Sequence, residues 1–412
     1  MTEQAEKTPL YSWYALALLM VIYVLNFLDR TIIYILFPLI KKEMEFSDTQ
    51  LALLGTTSFV IFYTILGIPF GRIADRGSRS KLIAFGVIVW SIASGMTAFA
   101  NDFWTLFACR VMVGVGEATL GPAAISLLAD YFPAARRATV TSIYSMGIAI
   151  GAGMAALLGG SLSQFGWRTA FMLIGFPGAT FGVLAFFLKE PNRTVAVATE
   201  VNYSPTDWKK LLTNPTFILL CLGYSIFGVA TNSLSIWGAI FISRVHTIDI
   251  PTYGYWAGVM TLAAGIPATL FAGAVADWFK AQGYGRMLFG ILLCLVSVPL
   301  WFVVLFSTNF YLIIPASFLL IFTAVGWVGA AAADVTEIAG VNLRGLGVAM
   351  FFFAVNVAAY LIGSNLIGVL SDKFGSTAEP KMLSYALLVC PAACLIGAFL
   401  LFIGNRKMKA AA

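Results

Sequence analysis

Residues 13–38 read WYALALLMVIYVLNFLDRTIIYILFP, an apolar segment interrupted by the adjacent charges of Asp29 and Arg30. As a helix rising 1.5 Å per residue, this segment is long enough to cross a hydrocarbon layer of about 30 Å. A charge at such a depth costs from roughly 3 to more than 10 kcal/mol, so it usually lines a water-filled path or meets a partner. The segment therefore predicts a membrane-spanning helix in a protein that moves something across the membrane.

The rest of the chain has the same character. Its 412 residues are 60% hydrophobic and 11% charged, with a mean hydropathy of +0.90. A soluble domain of this length could not bury that much apolar surface. At about 20 residues per span plus short turns, the chain has room for twelve transmembrane helices. We predict that they begin at Ser12, Asp48, Arg79, Phe103, Arg136, Trp167, Pro215, Pro251, Arg286, Phe310, Asn342 and Met382.

The distribution of Lys and Arg predicts the orientation. Of the 25 such residues, 17 fall on the side of the N-terminus and 6 on the other side, while Arg30 and Arg110 lie inside spans. This bias places both termini in the cytoplasm. It also explains the net charge of +6 without nucleic-acid binding. The residues before the first span do not resemble a cleavable signal peptide, and we expect a multi-pass protein of a bacterial cytoplasmic membrane.

An internal repeat divides the chain into units of three helices. The pattern G-x-x-x-D/Q closes the middle helix of each unit: GRIAD at 71–75, GSLSQ at 160–164, GAVAD at 273–277 and GVLSD at 368–372. Inverted three-helix repeats make two six-helix halves that rock around a central site. We therefore predict an N-terminal segment 1–11, a first half 12–189, a cytoplasmic linker 190–212, a second half 213–405 and a tail 406–412.

The stretch GRIADRGSR at 71–79 resembles the loop signature of the major facilitator superfamily, and its half-length echo ends at Asp277. In that family, the carboxylate and arginines of this loop pair across helix ends and hold one transport state. The resemblance implies gating roles for Asp75, Arg76, Arg79 and Asp277. The alternative is that these residues only cap helices and fix the topology.

Three further motifs are similar to the spinster branch of this superfamily, which consists of proton-linked carriers of lysophospholipids and sphingoid phosphates. They are NFLDRT at 26–31, GVGEATLGPA at 114–123 and SIYSMGIAIGAG at 142–153. The glycine run in the third motif also resembles one common in proton antiporters, but Ala152 stands where that motif has proline. Symport and antiport both stay open.

The charged residues support proton coupling on physical grounds alone. Arg110 and Glu117 are seven residues apart, which puts them on one stripe of the fourth helix, about 10 Å apart along its axis. Asp29 is placed to meet Arg110, and Arg30 to meet Glu117. Burial without a cation favours the protonated carboxylic acid, whereas a neighbouring arginine favours the carboxylate, and this difference can couple a proton to movement. We predict Asp29 as the main proton carrier, assisted by Glu117; the alternative is a static four-charge brace.

The second half predicts an apolar wall opposite these charges. Its seventh, eighth, ninth and eleventh spans hold no charge before their ends and are instead rich in aromatic residues. A cavity that is charged on one side and aromatic on the other suits an amphiphile. We expect Arg30, Arg110 and Asn26 to engage the head group. The predicted apolar wall comprises Tyr224, Phe227, Trp237, Trp327, Phe352 and Tyr360.

These observations predict a proton-coupled transporter of amphiphiles that works by alternating access, and the resemblance implies that the amphiphiles are of the lysophospholipid type. We expect a monomer driven by a proton gradient, without a cofactor or a metal site, since His246 is the single histidine and the five cysteines lack metal-ligand spacing. A proton-coupled carrier of small organic anions is the alternative within the same superfamily. A lipid-modifying membrane enzyme is disfavoured, because transport explains the buried carboxylates more simply.

Overall fold

The computed structural model describes residues 9–133, 136–191, 207–340 and 343–411. Every regular element in these ranges is helical. In these ranges twelve helices, numbered α1 to α12 in chain order, are long and apolar enough to cross a membrane, which confirms the predicted fold class. They are Leu10–Met44, Asp48–Arg76, Arg79–Phe99, Phe103–Tyr131, Thr139–Phe165, Trp167–Phe186, Pro215–Val245, Ile250–Ala281, Arg286–Phe306, Phe310–Ala339, Arg344–Lys373 and Met382–Lys409.

The helix ends differ from the sequence-based boundaries in several places, including both ends of the described chain. The first helix begins at Leu10, before the predicted start at Ser12. The last helical segment is Val389–Ala411, so the described part of the predicted tail 406–412 is helical. Its final turns carry Arg406, Lys407 and Lys409, whose charges suit a helix C-terminus and whose long side chains reach out of an apolar layer.

Some predicted boundaries lie outside the described residues. These are Asn342, the first eight residues of the segment 1–11, and 192–206 of the linker 190–212. The described end of the linker forms a short helix, Asp207–Thr213. The division into these segments therefore stays a prediction.

Polar side chains explain where several helices begin. The carboxylate of Asp102 accepts a hydrogen bond from the Thr105 amide at 2.9 Å, and the Asn214 side chain accepts one from the Thr216 amide at 2.9 Å. These bonds satisfy amide groups that the first turn of a helix leaves without a partner. Pro215 follows Asn214 in the first helical turn, where its missing N–H costs nothing.

Several of the described helices are irregular along their length. A π-helical turn occupies Leu53–Thr57 in α2 and another occupies Val357–Gly363 in α11. The fourth helix consists of two segments, Phe103–Glu117 and Leu120–Tyr131. Interruptions of this kind free backbone groups and are tolerated in a membrane only where the surrounding protein covers them.

The helices pack as two sets of six, α1–α6 and α7–α12. Within the first set, α3 and α6 approach closely at Gly95 and Gly175, where a Cβ on Gly175 would lie 2.3 Å from the Gly95 nitrogen. Between the sets, α1 packs against α7 and α5 packs against α8. Because the chain crosses twelve times, its two ends lie on one face, here called the termini face; the opposite side is the far face.

Polar contacts between the two halves are concentrated away from the termini face. In the described ranges, the hydrogen bonds and ion pairs that join the halves extend from the mid-helix pair Asn365 and Thr57 to the far face. Asn365 Nδ2 donates to Thr57 Oγ1 at 2.8 Å. The structure is therefore closed toward the far face.

Candidate transport site

A cavity of about 400 Å³ lies between the two halves. Side chains from α1, α5, α7, α8, α10 and α11 line it. Among the described lining residues, Arg30 is the one that carries a charge. The uncharged polar lining residues are Thr31, Tyr34, Thr231, Asn232, Ser235, Tyr253, Thr261, Asn356 and Tyr360.

Arg30 is held in place from several sides. Its Nε and Nη2 donate to Oε2 of Glu117 at 3.0 and 2.7 Å, which agrees with the predicted proximity of these two residues. Its guanidinium carbon lies 4.8, 4.5 and 4.9 Å from the ring centres of Phe27, Phe59 and Tyr63. The Arg30 side chain is 16% exposed, whereas that of Glu117 is fully buried. The guanidinium thus forms the boundary between a buried carboxylate and the cavity.

The position of Glu117 follows from the interruption of α4. The first segment of this helix ends at Glu117, and Thr119 Oγ1 donates back to the Gly116 carbonyl at 2.9 Å. At the same level α3 approaches closely, because a Cβ on Gly86 would lie 2.6 Å from the Gly116 oxygen. The second carboxylate oxygen, Oε1, has no hydrogen-bond partner in the described part of the chain. Glu117 therefore keeps one acceptor free inside the protein.

Asp29 points away from the cavity into a closed polar pocket. The residue is 1% exposed, and Oγ of Ser94 on α3 donates to its Oδ1 at 2.6 Å. The predicted pair with Arg110 takes a different form, since Arg110 Nη1 donates to the Asp29 backbone carbonyl at 3.3 Å. Asp29 and Arg30 lie about 100° apart around α1, so the carboxylate faces α3 while the guanidinium faces the cavity.

The other two predicted head-group residues lie behind Arg30. Arg110 is fully buried and Asn26 is 2% exposed, and neither lines the cavity. Arg110 Nε and Nη2 and Asn26 Nδ2 have no hydrogen-bond partners among the described residues. Both side chains can contact a head group only if the surrounding helices move.

The predicted aromatic wall divides into two layers. Trp327, Phe352 and Tyr360 line the cavity. Tyr224, Phe227 and Trp237 are instead fully buried in the second half and do not line it. Tyr224 stacks on Trp327 with ring centres 5.2 Å apart, and the Phe227 ring centre lies 6.2 Å from that of Trp327. The second layer supports the first, because close ring packing fixes the side-chain orientation of Trp327.

The predicted gating residues occupy the termini face. Asp75 and Arg76 are exposed, whereas Arg79 is 2% exposed. Arg79 donates to Asp130 at 2.5 Å and to Glu190 at 2.6 Å. Although burial opposes its ionisation, the hydrogen bonds from Arg79 and the Ser80 amide hold the pKa of Glu190 below its usual range. Arg79 thus joins the starts and ends of three helices of the first half.

The copy of this motif in the second half, which ends at Asp277, is also bound by an arginine at the start of the next helix. Arg286, at the start of α9, donates to Asp277 at 2.6 Å, and its Nη1 lies 3.5 Å from the buried Asp334 carboxylate. Asp277 itself remains 65% exposed at its side chain. Arg79 thus connects helix ends within the first half, and Arg286 connects helix ends within the second half.

Sequence reasoning missed several polar residues. Ser94 is one of several small residues in α3, and nothing in the local sequence separates it from a packing residue. Asp48 was recognised only as a helix start, yet it is fully buried and binds Arg244 of the second half at 2.7 Å. The charge of each residue was the available signal. Because Asp48 and Arg244 are far apart in the sequence, only the fold shows that they pair.

Two six-helix halves around a central cavity, with the charge of Arg30 on one wall and further charges buried behind it, define a secondary transporter. The chain belongs to the major facilitator superfamily, whose family model matches residues 19–361. It is spinster-like within this superfamily. The human protein spinster homolog 1 is 31% identical over 244 residues, which are 56% of this chain and 46% of the human protein.

A bacterial relative aligns over more of the chain. An MFS-type efflux pump of Mycolicibacterium smegmatis is 28% identical over 415 residues, covering 99% of this chain and 96% of the pump.

Solved structures share the fold. A bacterial homolog of the human lysosomal transporter Spinster, in an inward-facing and occupied conformation, superposes with a TM-score of 0.81 at 25% identity and covers 97% of both chains. A D-xylose–proton symporter superposes with a TM-score of 0.74 at 15% identity, over 95% of this chain and 97% of its own.

Proposed function

We propose that this protein is a proton-coupled transporter of lysophospholipid-type amphiphiles that works by alternating access. The observation that carries the proposal is the position of Arg30. It is the single charged residue among the described cavity-lining residues, and it faces a wall that includes Trp327 and Phe352. An anionic head group would bind the guanidinium, and an acyl chain would pack against the aromatic side.

The Arg30–Glu117 pair suggests how substrate and proton are linked. An anion that binds Arg30 competes with Glu117 for the guanidinium. A buried carboxylate that loses its cation favours protonation, because a lone charge is costly in a dry environment. Proton uptake would therefore accompany head-group binding.

Asp29 would be the main proton carrier, with Glu117 assisting. Its carboxylate is buried and accepts a hydrogen bond from Ser94. It lies on the same helix and one residue before Arg30, so a displacement of α1 would change the surroundings of both side chains together. Arg110 lies close to the Asp29 backbone. Such a displacement would move the Arg110 guanidinium toward the Asp29 carboxylate or away from it.

The second half offers room for an acyl chain. An adjoining pocket of about 50 Å³ shares Leu234, Tyr253, Ala257 and Ile321 with the main cavity. Its remaining walls are largely apolar and include Phe241, Ile313 and Ile314. An apolar chain that leaves the main cavity could enter this pocket without losing contact with apolar groups.

The relatives support the spinster-like branch on which this proposal rests, and the charge distribution supports a setting. Their spinster names agree with the three motifs at 26–31, 114–123 and 142–153. The excess of Lys and Arg on the termini face favours a cytoplasmic location for both termini. We propose a monomer in a bacterial cytoplasmic membrane that uses a proton gradient and requires no cofactor.

A carrier of small organic anions is the second candidate. The cavity wall carries amide and hydroxyl groups at Asn232, Ser235, Thr261 and Asn356. Together with Arg30, these groups could hydrogen-bond a hydrophilic anion that has no apolar tail.

Vesicles that contain the purified protein separate the two candidates. Uptake of labelled lysophosphatidylcholine and of a sugar acid is measured with and without an imposed pH gradient, with protein-free vesicles as the control. Gradient-dependent movement of the lipid alone is the expected result. Movement of the sugar acid alone would transfer the proposal to small organic anions.

A further inference from the structure

The second half contains a buried carboxyl group that the transport site does not use. Asp334 lies on α10, near the termini face, and has no exposed surface. Neither of its side-chain oxygens has a hydrogen-bond partner in the described part of the chain. Arg286 of α9 has its Nη1 3.5 Å from Oδ1 of Asp334, which is an ion-pair distance without a hydrogen bond. An ionised carboxylate in such a place is costly.

The guanidinium of Arg286 is bound to two other carboxylates. Its Nε donates to Asp277 at 2.6 Å, and its Nη1 donates to Glu337 at 3.0 Å. Glu337 also binds Lys280 of α8. The side chains of Asp277 and Glu337 are 65% and 45% exposed. Arg286 therefore donates to carboxylates that water can also solvate, and it leaves the buried one without a donor.

The equivalent carboxylate of the first half does have a donor. Arg79 stands at the start of α3 as Arg286 stands at the start of α9, and Asp130 lies near the end of α4 as Asp334 lies near the end of α10. Arg79 Nη1 donates to Asp130 Oδ2 at 2.5 Å. The same two positions thus hold a hydrogen-bonded ion pair in one half and a carboxyl group without a hydrogen bond in the other.

The remaining neighbours do not favour a negative charge on Asp334. Glu337 lies three residues later on the same face of α10, where like charges repel. Tyr224 is fully buried and interacts electrostatically with Asp334, and its hydroxyl group has no hydrogen-bond partner among the described residues. Arg344, at the start of α11, is exposed. The titratable and charged groups around this site on α7, α8, α9, α10 and α11 are Tyr224, Asp277, Lys280, Arg286, Glu337 and Arg344.

We propose that Asp334 is a second proton-binding site, separate from Asp29 and Glu117, and that it is protonated in this structure. A carboxyl group that is removed from water and lacks a hydrogen-bonded cation is more stable as the neutral acid. If Arg286 turns from Glu337 to Asp334, the O–H bond of the acid breaks, the proton passes to water at the termini face, and the guanidinium neutralises the carboxylate. The site goes beyond the proposed function, which assigns the proton to the first half.

Infrared spectroscopy of the purified protein tests this site, because the carbonyl stretch of a carboxylic acid is separate from the bands of a carboxylate. The protein is labelled with carbon-13 in its aspartate side chains, so that bands of aspartic acids are recognised by their shift. At neutral pH, we expect Asp334→Asn to have one aspartic-acid band fewer than the wild type. An unchanged set of aspartic-acid bands would overturn the proposal.

Asp130→Asn is the matched control, since it changes the equivalent position of the first half. Asp130 is hydrogen-bonded to Arg79 and is therefore expected to be a carboxylate. This variant should lose a carboxylate band and keep every aspartic-acid band. Loss of an aspartic-acid band in Asp130→Asn as well would remove the difference between the halves and overturn the proposal.

Glu337→Gln tests the site with Asp334 in place, and it covers the case in which Asp334→Asn fails to fold. The substitution removes an exposed carboxylate that competes for Arg286, so Nη1 can turn to Asp334 and the proton should leave. We expect the same aspartic-acid band to disappear. Glu379→Gln, which changes an exposed carboxylate on the far face, is the control and should keep the band. Persistence of the band in Glu337→Gln would also overturn the proposal.

Neither measurement requires a substrate or a pH gradient, so the outcome is independent of the lipid assay. A failed lipid assay with an Asp334 band present would reject the proposed substrate and keep this site. Lipid transport without an Asp334 band would reject the site and leave Asp29 and Glu117 as the proposed proton carriers.

Discussion

At the scale of single residues, the charges of α1 and α4 have separate environments. Arg30 faces the cavity and neutralises Glu117, whereas Asp29 is buried against Ser94. The hydrophobic span around residues 26–31 predicted that these charges matter, and helix geometry predicted that they diverge. The sequence could not predict that Ser94 binds Asp29, because the partner of a serine in a helix is decided only when α3 and α1 pack together.

Replacing Asp29 with asparagine tests the proton carrier. In Asp29→Asn the side chain is about as large as before and can still accept a hydrogen bond from Ser94, but it has no carboxylate that can bind a proton. We expect loss of uphill transport driven by a pH gradient, while exchange of substrate between the two sides continues in part. Wild-type accumulation by this variant in vesicles would contradict the assigned role.

The Arg30–Glu117 pair predicts a stability effect that one further substitution reverses. Arg30→Gln leaves the buried Glu117 carboxylate without its cation, at a cost of about 3–5 kcal/mol. Adding Glu117→Gln removes the unpaired charge and should recover most of that loss. Thermal unfolding of the purified proteins in detergent measures both steps. A double variant no more stable than Arg30→Gln would show that the pair does not neutralise a buried charge.

At the scale of helices, the sequence was most informative about which segments form helices and where each helix begins. Asp102 and Pro215 stand at helix starts because the cap accepts a hydrogen bond from a first-turn amide and the proline has no N–H to leave unpaired there, and both signals are local. The aromatic residues were less predictable. Trp327 and Tyr224 occur in similarly apolar helices, and only the rotation of those helices decides that one lines the cavity and the other packs behind it.

Close packing of α3 against α6 predicts a penalty for added volume. In Gly175→Ala the new methyl group would meet the Gly95 backbone, and overpacking of this kind costs about 1–3 kcal/mol. Gly121→Ala, where a Cβ meets no atom within 4 Å, is the control and should not lower the unfolding temperature. Equal stability of the two variants would contradict the observed helix contact.

The contact between Arg79 and Glu190 predicts a dependence on pH. Because the pKa of Glu190 is lowered in the folded protein, its carboxylate stabilises the fold above the pKa of the unfolded chain, and this stabilisation is lost as the pH falls through the folded-state pKa. Partial exposure limits the effect to about 1 kcal/mol or less.

Unfolding temperatures of the wild type and Glu190→Gln, compared between neutral and acidic pH, measure this effect. The difference between the two proteins should shrink as the pH falls. A constant difference would mean that ionisation of Glu190 does not contribute.

At the scale of the whole molecule, two halves enclose the central cavity and meet at the far face, where Asp48 binds Arg244. The repeated glycine motif predicted the two halves, and the family resemblance implied gating residues at the termini face. The far-face junction was not predicted, because its members Asp48 and Asp372 are 324 residues apart in the sequence and each looks like an ordinary helix-end carboxylate.

Coupling between lipid and proton movement is the central claim, and proton flux measures it most directly. Lysophosphatidylcholine is added to vesicles that contain the protein and a trapped pH-sensitive dye, without an imposed gradient. The account predicts a substrate-dependent change of internal pH in the wild type and none with Asp29→Asn. Lipid movement in the wild type without any accompanying change of internal pH would contradict it.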